Sequence, residues 1–244
     1  VKNELTDTEN DQQSLRAEFD LLADEYYEQH RVNIAITGEG PEYFAEYKIA
    51  DLSTFVQEKK SSAQNILDFG SGIGNSVPFF RRYFEQSTLS CGDVSARSIE
   101  ISRTRFGERE NYIQIGNEIA LPSNSQDIVF SACVFHHIPH EDHCRWLAEL
   151  RRVTRPGGFL VIYEHNPLNP LTLRAVNTCP LDVNARLISA GTMRRRATDS
   201  GWHDARIEYK LFFPASLKAL RPLERHLGWL GLGAQYRMVA SCPA

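Results

Sequence analysis

Residues 66–77 read Ile66-Leu67-Asp68-Phe69-Gly70-Ser71-Gly72-Ile73-Gly74-Asn75-Ser76-Val77, and the rest of the chain is organised around them. Ile66, Leu67 and Phe69 suit a strand buried on both faces. Gly70, Gly72 and Gly74 follow at once, and glycine permits tight turns and close backbone approach to a ligand. A helix then runs on through Val77 and Phe79. Strand, small-molecule loop and helix N-terminus thus occupy one stretch. It is not a Walker loop, because no Gly-Lys-Ser/Thr follows. It also departs from the dinucleotide fingerprint, since the glycines alternate and Asp68 lies inside the strand end. A purely structural turn is the alternative, and the segments downstream decide against it.

The 244 residues fit one large α/β domain with a cap. With 42% hydrophobic and 24% charged residues the composition is that of an ordinary soluble domain, and a net charge of −4 gives no hint of bulk nucleic-acid binding. The charge is uneven: residues 170–244 carry 11 Lys/Arg against 5 Asp/Glu. That excess suits an anionic substrate, a membrane surface or simply a solvated face. The five cysteines form no Cys-x-x-Cys pair, and buried thiols in a cytoplasmic protein explain them better than disulfides. No apolar run approaches a membrane span and no secretion signal is visible.

The expected order of elements is a helix at 15–30, a second at 42–58, then alternating strands and helices. Strands are expected at 65–69, 88–92, 111–114, 127–132 and 158–164, and helices at 75–84, 95–106, 141–153 and 192–200. This is a doubly wound, mostly parallel sheet, which binds ligands beyond the C-terminal strand ends. Arg206–Phe213 and Ala234–Cys242 read as two late strands forming an antiparallel hairpin at one edge, with helix at 215–227 between them. Residues 1–60 are expected to form a helical lid and 61–244 the core. Residues 166–190 interrupt the rhythm, opening on Asn166-Pro167-Leu168-Asn169-Pro170, and are assigned as a substrate-facing insertion.

Chemistry-bearing residues fall at the strand ends. Asp93 ends the second strand, where a carboxylate can accept both hydroxyls of a ribose; capping a helix is its alternative, although Ser95 is the better cap. Asn117 and Glu118 follow the third strand, with Asn117 suited to an adenine edge or to a turn, and Ile119 to the ring face. Ser131 lies near the end of the fourth strand, and His136 and His137 just beyond it. On a strand those two would face opposite ways, so one of them is a candidate general base; packing or helix capping is the other reading. Glu164 and His165 end the fifth strand and could orient a substrate hydroxyl or amine; Glu164 could alternatively orient the imidazole. His136, His137, His140 and His143 match no zinc-helix spacing and no cysteine pair lies near, so no metal site is assigned.

At this point the chain resembles the class I S-adenosylmethionine-dependent methyltransferases, closest to the "type 11" small-molecule group. Leu67–Gly74 resembles the family's first motif and Cys91-Gly92-Asp93-Val94-Ser95 its second. Glu118–Pro122 with Gln126–Ser131 resembles the stretch around the third and fourth strands, and Arg155-Pro156-Gly157-Gly158 the turn before the fifth. The resemblance spans about 60–164 and implies seven strands with the last reversed. It further implies S-adenosyl-L-methionine as cofactor, with Asp68, Gly70, Ser71 and Gly72 against its methionine part. Asp93 and Val94 would lie at the ribose, Asn117, Glu118, Ile119 and Ser131 around the remainder, and Tyr27 and Lys48 would reach in from the lid. Asn117 departs from the aspartate common in the family. The expected activity is methyl transfer to a small-molecule hydroxyl, by a monomer or homodimer. N- or C-methylation, or a protein or nucleic-acid acceptor, are the alternatives, and a non-catalytic cofactor-binding scaffold is the remaining one.

Overall fold

The computed structural model describes residues 20, 23 and 25–243; half of the helix expected at 15–30 therefore lies outside the described residues. The sheet has seven strands in the order β3-β2-β1-β4-β5-β7-β6. They are β1 Asn65–Phe69, β2 Thr88–Asp93, β3 Asn111–Gln114, β4 Gln126–Ala132, β5 Thr154–His165, β6 His203–Lys210 and β7 Gln235–Ser241. Strands β1 to β5 pair in parallel, and β7 runs antiparallel between β5 and β6. This is a Rossmann-like sheet with a C-terminal hairpin.

Side chains of the central strands alternate between two cores, as the two-residue period of a strand requires. Ile66, Ile128, Phe130, Val161 and Tyr163 face helices α2 (Pro41–Lys59) and α3 (Val77–Tyr83). Leu67, Phe69, Val129, Leu160 and Ile162 face α5 (His143–Val153) and α7 (Ala190–Asp199). Helix α4 (Ala96–Phe106) packs beside β2 and β3, and α1 (Tyr26–Ile34) sits over α2. Ser95 caps α4, accepting from Ser98 N at 3.0 Å.

Helix α2 is built into the sheet rather than laid over it. Ile49 and Leu52 are fully buried. The Asp51 carboxylate accepts from Tyr163 Oη at 2.6 Å, Arg237 Nη1 at 2.9 Å and Lys210 Nζ at 3.0 Å, joining α2 to β5, β7 and β6. The insertion contains α6 (Pro170–Thr178) and a 3-10 turn at Pro180–Asp182. Asn169 caps α6, accepting from Leu171 N and Thr172 N at 3.0 Å, with Pro170 as first helical residue. The segment 215–227 is 3-10 rather than α-helix (Ala215–His226), because Pro222 lies inside it and Leu217 leaves helical geometry.

Candidate functional site

Strand order reverses between β1 and β4, so their connections leave to opposite sides and open a crevice beyond their C-terminal ends. The glycine loop after β1 lines it. Gly70, Gly72 and Gly74 all have positive φ (77°, 52° and 80°). A Cβ on Gly70 would overlap Val134, and one on Gly74 would overlap Ser102 Oγ, so these two glycines are demanded by packing. A Cβ on Gly72 would meet nothing within 4 Å, so its backbone borders open space.

Around that space lie buried polar atoms with no partner among the described residues: Asp68 Oδ2, Ser71 Oγ and Ser131 Oγ. Orphaned polar atoms are costly inside a protein and point to a missing partner. Asp68 is 3% exposed. Burial pushes its carboxyl up to about 7, helped by Asp93 and opposed by Lys48. Lys48, itself buried, reaches from α2 to within 3.7 Å of Cys133 Sγ. Asp93 has a structural task as well as the expected one. Its Oδ2 accepts from Gly72 N at 2.8 Å and its Oδ1 from Ser95 N at 2.9 Å, so it braces the glycine loop and the start of α4. Each carboxylate oxygen keeps a further lone pair for a ligand hydroxyl.

The expectations for the third connection fare differently. Asn117 and Glu118 are exposed. The Asn117 carbonyl accepts from Arg145 Nη2, which leaves its side-chain amide for a ligand. Ile119, expected against a ring face, is instead 1% exposed and packs in the core, with its N–H given to Glu149 Oε1 at 2.8 Å; it offers little surface to a ring. Val94 is partly buried against the same core. Tyr27 donates to Glu42 Oε1 at 2.6 Å, a contact that ties α1 to α2.

The segment after β4 is where sequence reasoning erred. His136 and His137 do not alternate as on a strand, because Phe135–His137 is a 3-10 turn. A 3-10 turn advances far less per residue than a strand, and both Nε2 atoms lie 3.5 Å from Asp182 Oδ1. Glu164 is fully buried and its carboxylate organises the turn: Oε1 accepts from Val134 N at 2.9 Å and Phe135 N at 2.7 Å, while Oε2 lies 2.6 Å from His136 Nδ1. Burial alone would lower the His136 pKa, but Glu164 and Asp182 raise it. His137 is held down by burial and by the His136 charge. Glu164 therefore orients the imidazole, and its oxygens are already engaged.

Asp182, Cys133 and His165 also belong to this cluster; His165 was expected beside Glu164, whereas Asp182 and Cys133 were given no role of their own from the sequence. Asp182 arrives from the insertion, 45 residues beyond His137, and no local pattern marks it. Cys133 has φ 59°, beyond the range ordinary for its residue type. Burial favours its neutral thiol, yet Lys48 and His165 bring it down to about 7. The strand-end position was the one available signal. Beyond the cluster, α1 and α6 enclose a cleft of about 490 Å³ lined by residues that include Gln29, Val32, Ile36, Leu171 and Arg174.

Loop, acid and orphaned atoms together define a small-molecule cofactor site of the S-adenosylmethionine type. Residues 67–162 match the family described as "Methyltransferase domain". That segment carries a methyltransferase domain, and the seven-stranded sheet with its antiparallel C-terminal hairpin is the fold of the S-adenosylmethionine-dependent methyltransferases, whose cofactor is S-adenosyl-L-methionine. It is 29% identical over 119 residues to the ubiquinone/menaquinone biosynthesis C-methyltransferase of Hahella chejuensis, a match covering 46% of this chain and 47% of that protein. It is 29% identical over 128 residues to the trans-aconitate 2-methyltransferase of Azoarcus sp., covering 52% and 49%. The chain thus spans about half the length of the curated relatives it matches. A Thermotoga maritima S-adenosylmethionine-dependent methyltransferase, described as a possible histamine N-methyltransferase, superposes with TM-score 0.64 at 16% identity, covering 93% of this chain and 99% of that one, and shares the fold. Among the described residues, no helix is long and apolar enough to cross a membrane.

Proposed function

We propose that the chain transfers the methyl group of S-adenosyl-L-methionine to a hydroxyl oxygen of a small molecule. The carrying observation is the buried Glu164–His136 pair, with His137 and Asp182 beside it, at the β4 and β5 ends next to the glycine loop. Asp68, Ser71, Gly72, Asp93 and Ser131 hold the cofactor, which supplies an electrophilic methyl group on a positively charged sulfur. Lys48 stands beneath the same crevice. As the oxygen–carbon bond forms, the sulfur–carbon bond breaks and its electron pair stays on sulfur; the hydroxyl proton must leave.

Much of such catalysis is positioning of two reactants. A hydroxyl additionally needs help in losing its proton, and the histidine cluster supports that role. Glu164 fixes the His136 ring and the backbone after β4. Both rings face Asp182 of the insertion, and His137 is the less buried of the two. α1 and the insertion at 166–190 supply the walls that an acceptor would touch.

The test uses cofactor carrying a trideuterated methyl group and a panel of hydroxylated, amino and carbon-acid small molecules. Mass spectrometry should show a 17 Da gain on a hydroxyl oxygen. H137Q or H136Q should then slow transfer roughly 10²–10⁴-fold with cofactor affinity unchanged. Labelling confined to nitrogen or carbon acceptors would refute the oxygen assignment.

A further inference from the structure

We propose that His136 Nε2, His137 Nε2 and Asp182 Oδ1 form a tetrahedral site for a divalent cation of the zinc class, with the fourth position open to the acceptor. The three ligand atoms lie within 4.8 Å of one another. The use made of such an ion rests on the hydroxyl-transfer reading; the existence of the site does not.

Distance discriminates between a cation and a plain hydrogen bond. Both Nε2 atoms stand 3.5 Å from Asp182 Oδ1. That is long for an N–H···O hydrogen bond, which prefers about 2.7–3.2 Å. It is close to the edge of a metal-centred tetrahedron: bonds of about 2.0–2.1 Å separate neighbouring ligands by roughly 3.3–3.4 Å. The two imidazole nitrogens lie within 4.8 Å of each other, so closing the three atoms around one cation requires the rings to draw together.

The surrounding groups are those a metal site uses. A metal-ligating histidine nearly always gives its other ring nitrogen to a carboxylate or carbonyl, which sets the tautomer and the ring plane. Glu164 Oε2 takes His136 Nδ1 at 2.6 Å, which directs Nε2 toward Asp182. Glu164 is itself anchored by the Val134 and Phe135 amides. The insertion is stitched to the histidine turn by Arg186 N donating to His136 O at 2.7 Å. Within it, Asp182 N donates to Cys179 O at 3.1 Å, and Ala185 N to Asp182 O at 2.9 Å. The third ligand is thus positioned by backbone bonds on both sides. Side-chain exposures of 1% for His136, 16% for His137 and 11% for Asp182 give a site that is largely dry yet reachable.

Three protein ligands and one open position is the arrangement of catalytic rather than structural zinc. A cation there lowers the pKa of an oxygen that it binds. With its histidines as ligands, the cluster would act through the cation in place of a direct base: the hydroxyl proton would pass to solvent, and the acceptor oxygen would be held at the mouth of the cofactor crevice. The substrate class is therefore a hydroxylated small molecule able to reach a buried cation.

The experiment titrates the metal-stripped full chain with Co²⁺ and follows the visible d–d absorption. One equivalent should bind with a tetrahedral-type spectrum, and Zn²⁺ should displace it. D182A should abolish the band, and E164Q should weaken Co²⁺ binding 10–100-fold. H140Q should leave it unchanged. S-adenosylmethionine affinity, retained in each variant, reports an intact fold. Absence of the band in the wild-type chain, or a band that survives D182A and H137Q, overturns the site. Loss of the site with hydroxyl methylation intact leaves the transfer reading standing. Stoichiometric cobalt with labelling confined to nitrogen upholds the site and removes the hydroxyl reading.

Discussion

Replacing Asp68 by asparagine should stabilise the ligand-free protein and weaken the cofactor. The carboxyl is 3% exposed, and its Oδ2 has no partner among the described residues. Burial raises its pKa to about 7 from 3.8, with Asp93 adding to the rise and Lys48 opposing it. Below the unfolded value the group is protonated in both states and costs nothing. Between about 4 and 7 the unfolded chain ionises more readily, so stability falls as pH rises. Above 7 the full penalty applies. About three pKa units at 1.36 kcal/mol each set a ceiling of roughly 4 kcal/mol. Loss of the attraction to Lys48 brings the expected gain in D68N to roughly 2–3 kcal/mol, or several degrees in melting temperature for a chain of this size. The gain should appear at pH 8 and vanish near pH 4. Cofactor affinity should fall about 10–100-fold, the worth of one charge-assisted hydrogen bond. Thermal melts at both pH values, with calorimetric titration of S-adenosylmethionine at pH 8, check both halves. Should D68N melt below wild type at pH 8, or bind cofactor normally, the view of Asp68 as a strained acid awaiting a ligand would be wrong.

Two further outcomes follow from contacts in the fold. G70A should be poorly folded, since its Cβ overlaps Val134 at a φ of 77°. G72A, which meets no neighbour, should lose only about 1–2 kcal/mol to its left-handed backbone yet bind cofactor at least 10-fold more weakly; melts and titrations of the pair separate the two effects. D51A strips Tyr163, Lys210 and Arg237 of a shared carboxylate. Arg237 is 8% exposed and, among the described residues, keeps Glu208 as its remaining carboxylate partner, so chemical denaturation should show a loss of roughly 3 kcal/mol or more.

The fold was legible because its signals are local. Strand β1 and strand β3 span the residues expected of them, 65–69 and 111–114, and the three glycines mark the turn that the sheet requires. The order of the late hairpin came from the family resemblance and agrees with β7 lying antiparallel between β5 and β6. The site was legible only where a strand end places it. Asp68, Ser71, Gly72 and Ser131 are readable from the first motif and from β4, but nothing local shows that Ile119 turns into the core. The adjacent histidines were misread because a 3-10 turn replaces the expected strand geometry. Asp182 was hidden because a long insertion carries it back across the crevice, a tertiary contact with no sequence period. The engagement of Asp93 by Gly72 and Ser95 is likewise a product of the closed loop.

Binding of S-adenosyl-L-methionine to metal-stripped protein, measured by calorimetry at pH 8, tests the central claim most directly. In the proposal, the Gly70–Gly74 loop, Asp68, Ser71, Ser131 and Asp93 hold the cofactor, apart from the histidine cluster. One site per chain with micromolar affinity, unchanged when a divalent cation is restored, is the predicted result. Absence of binding, or binding that returns only with the cation, would contradict the account.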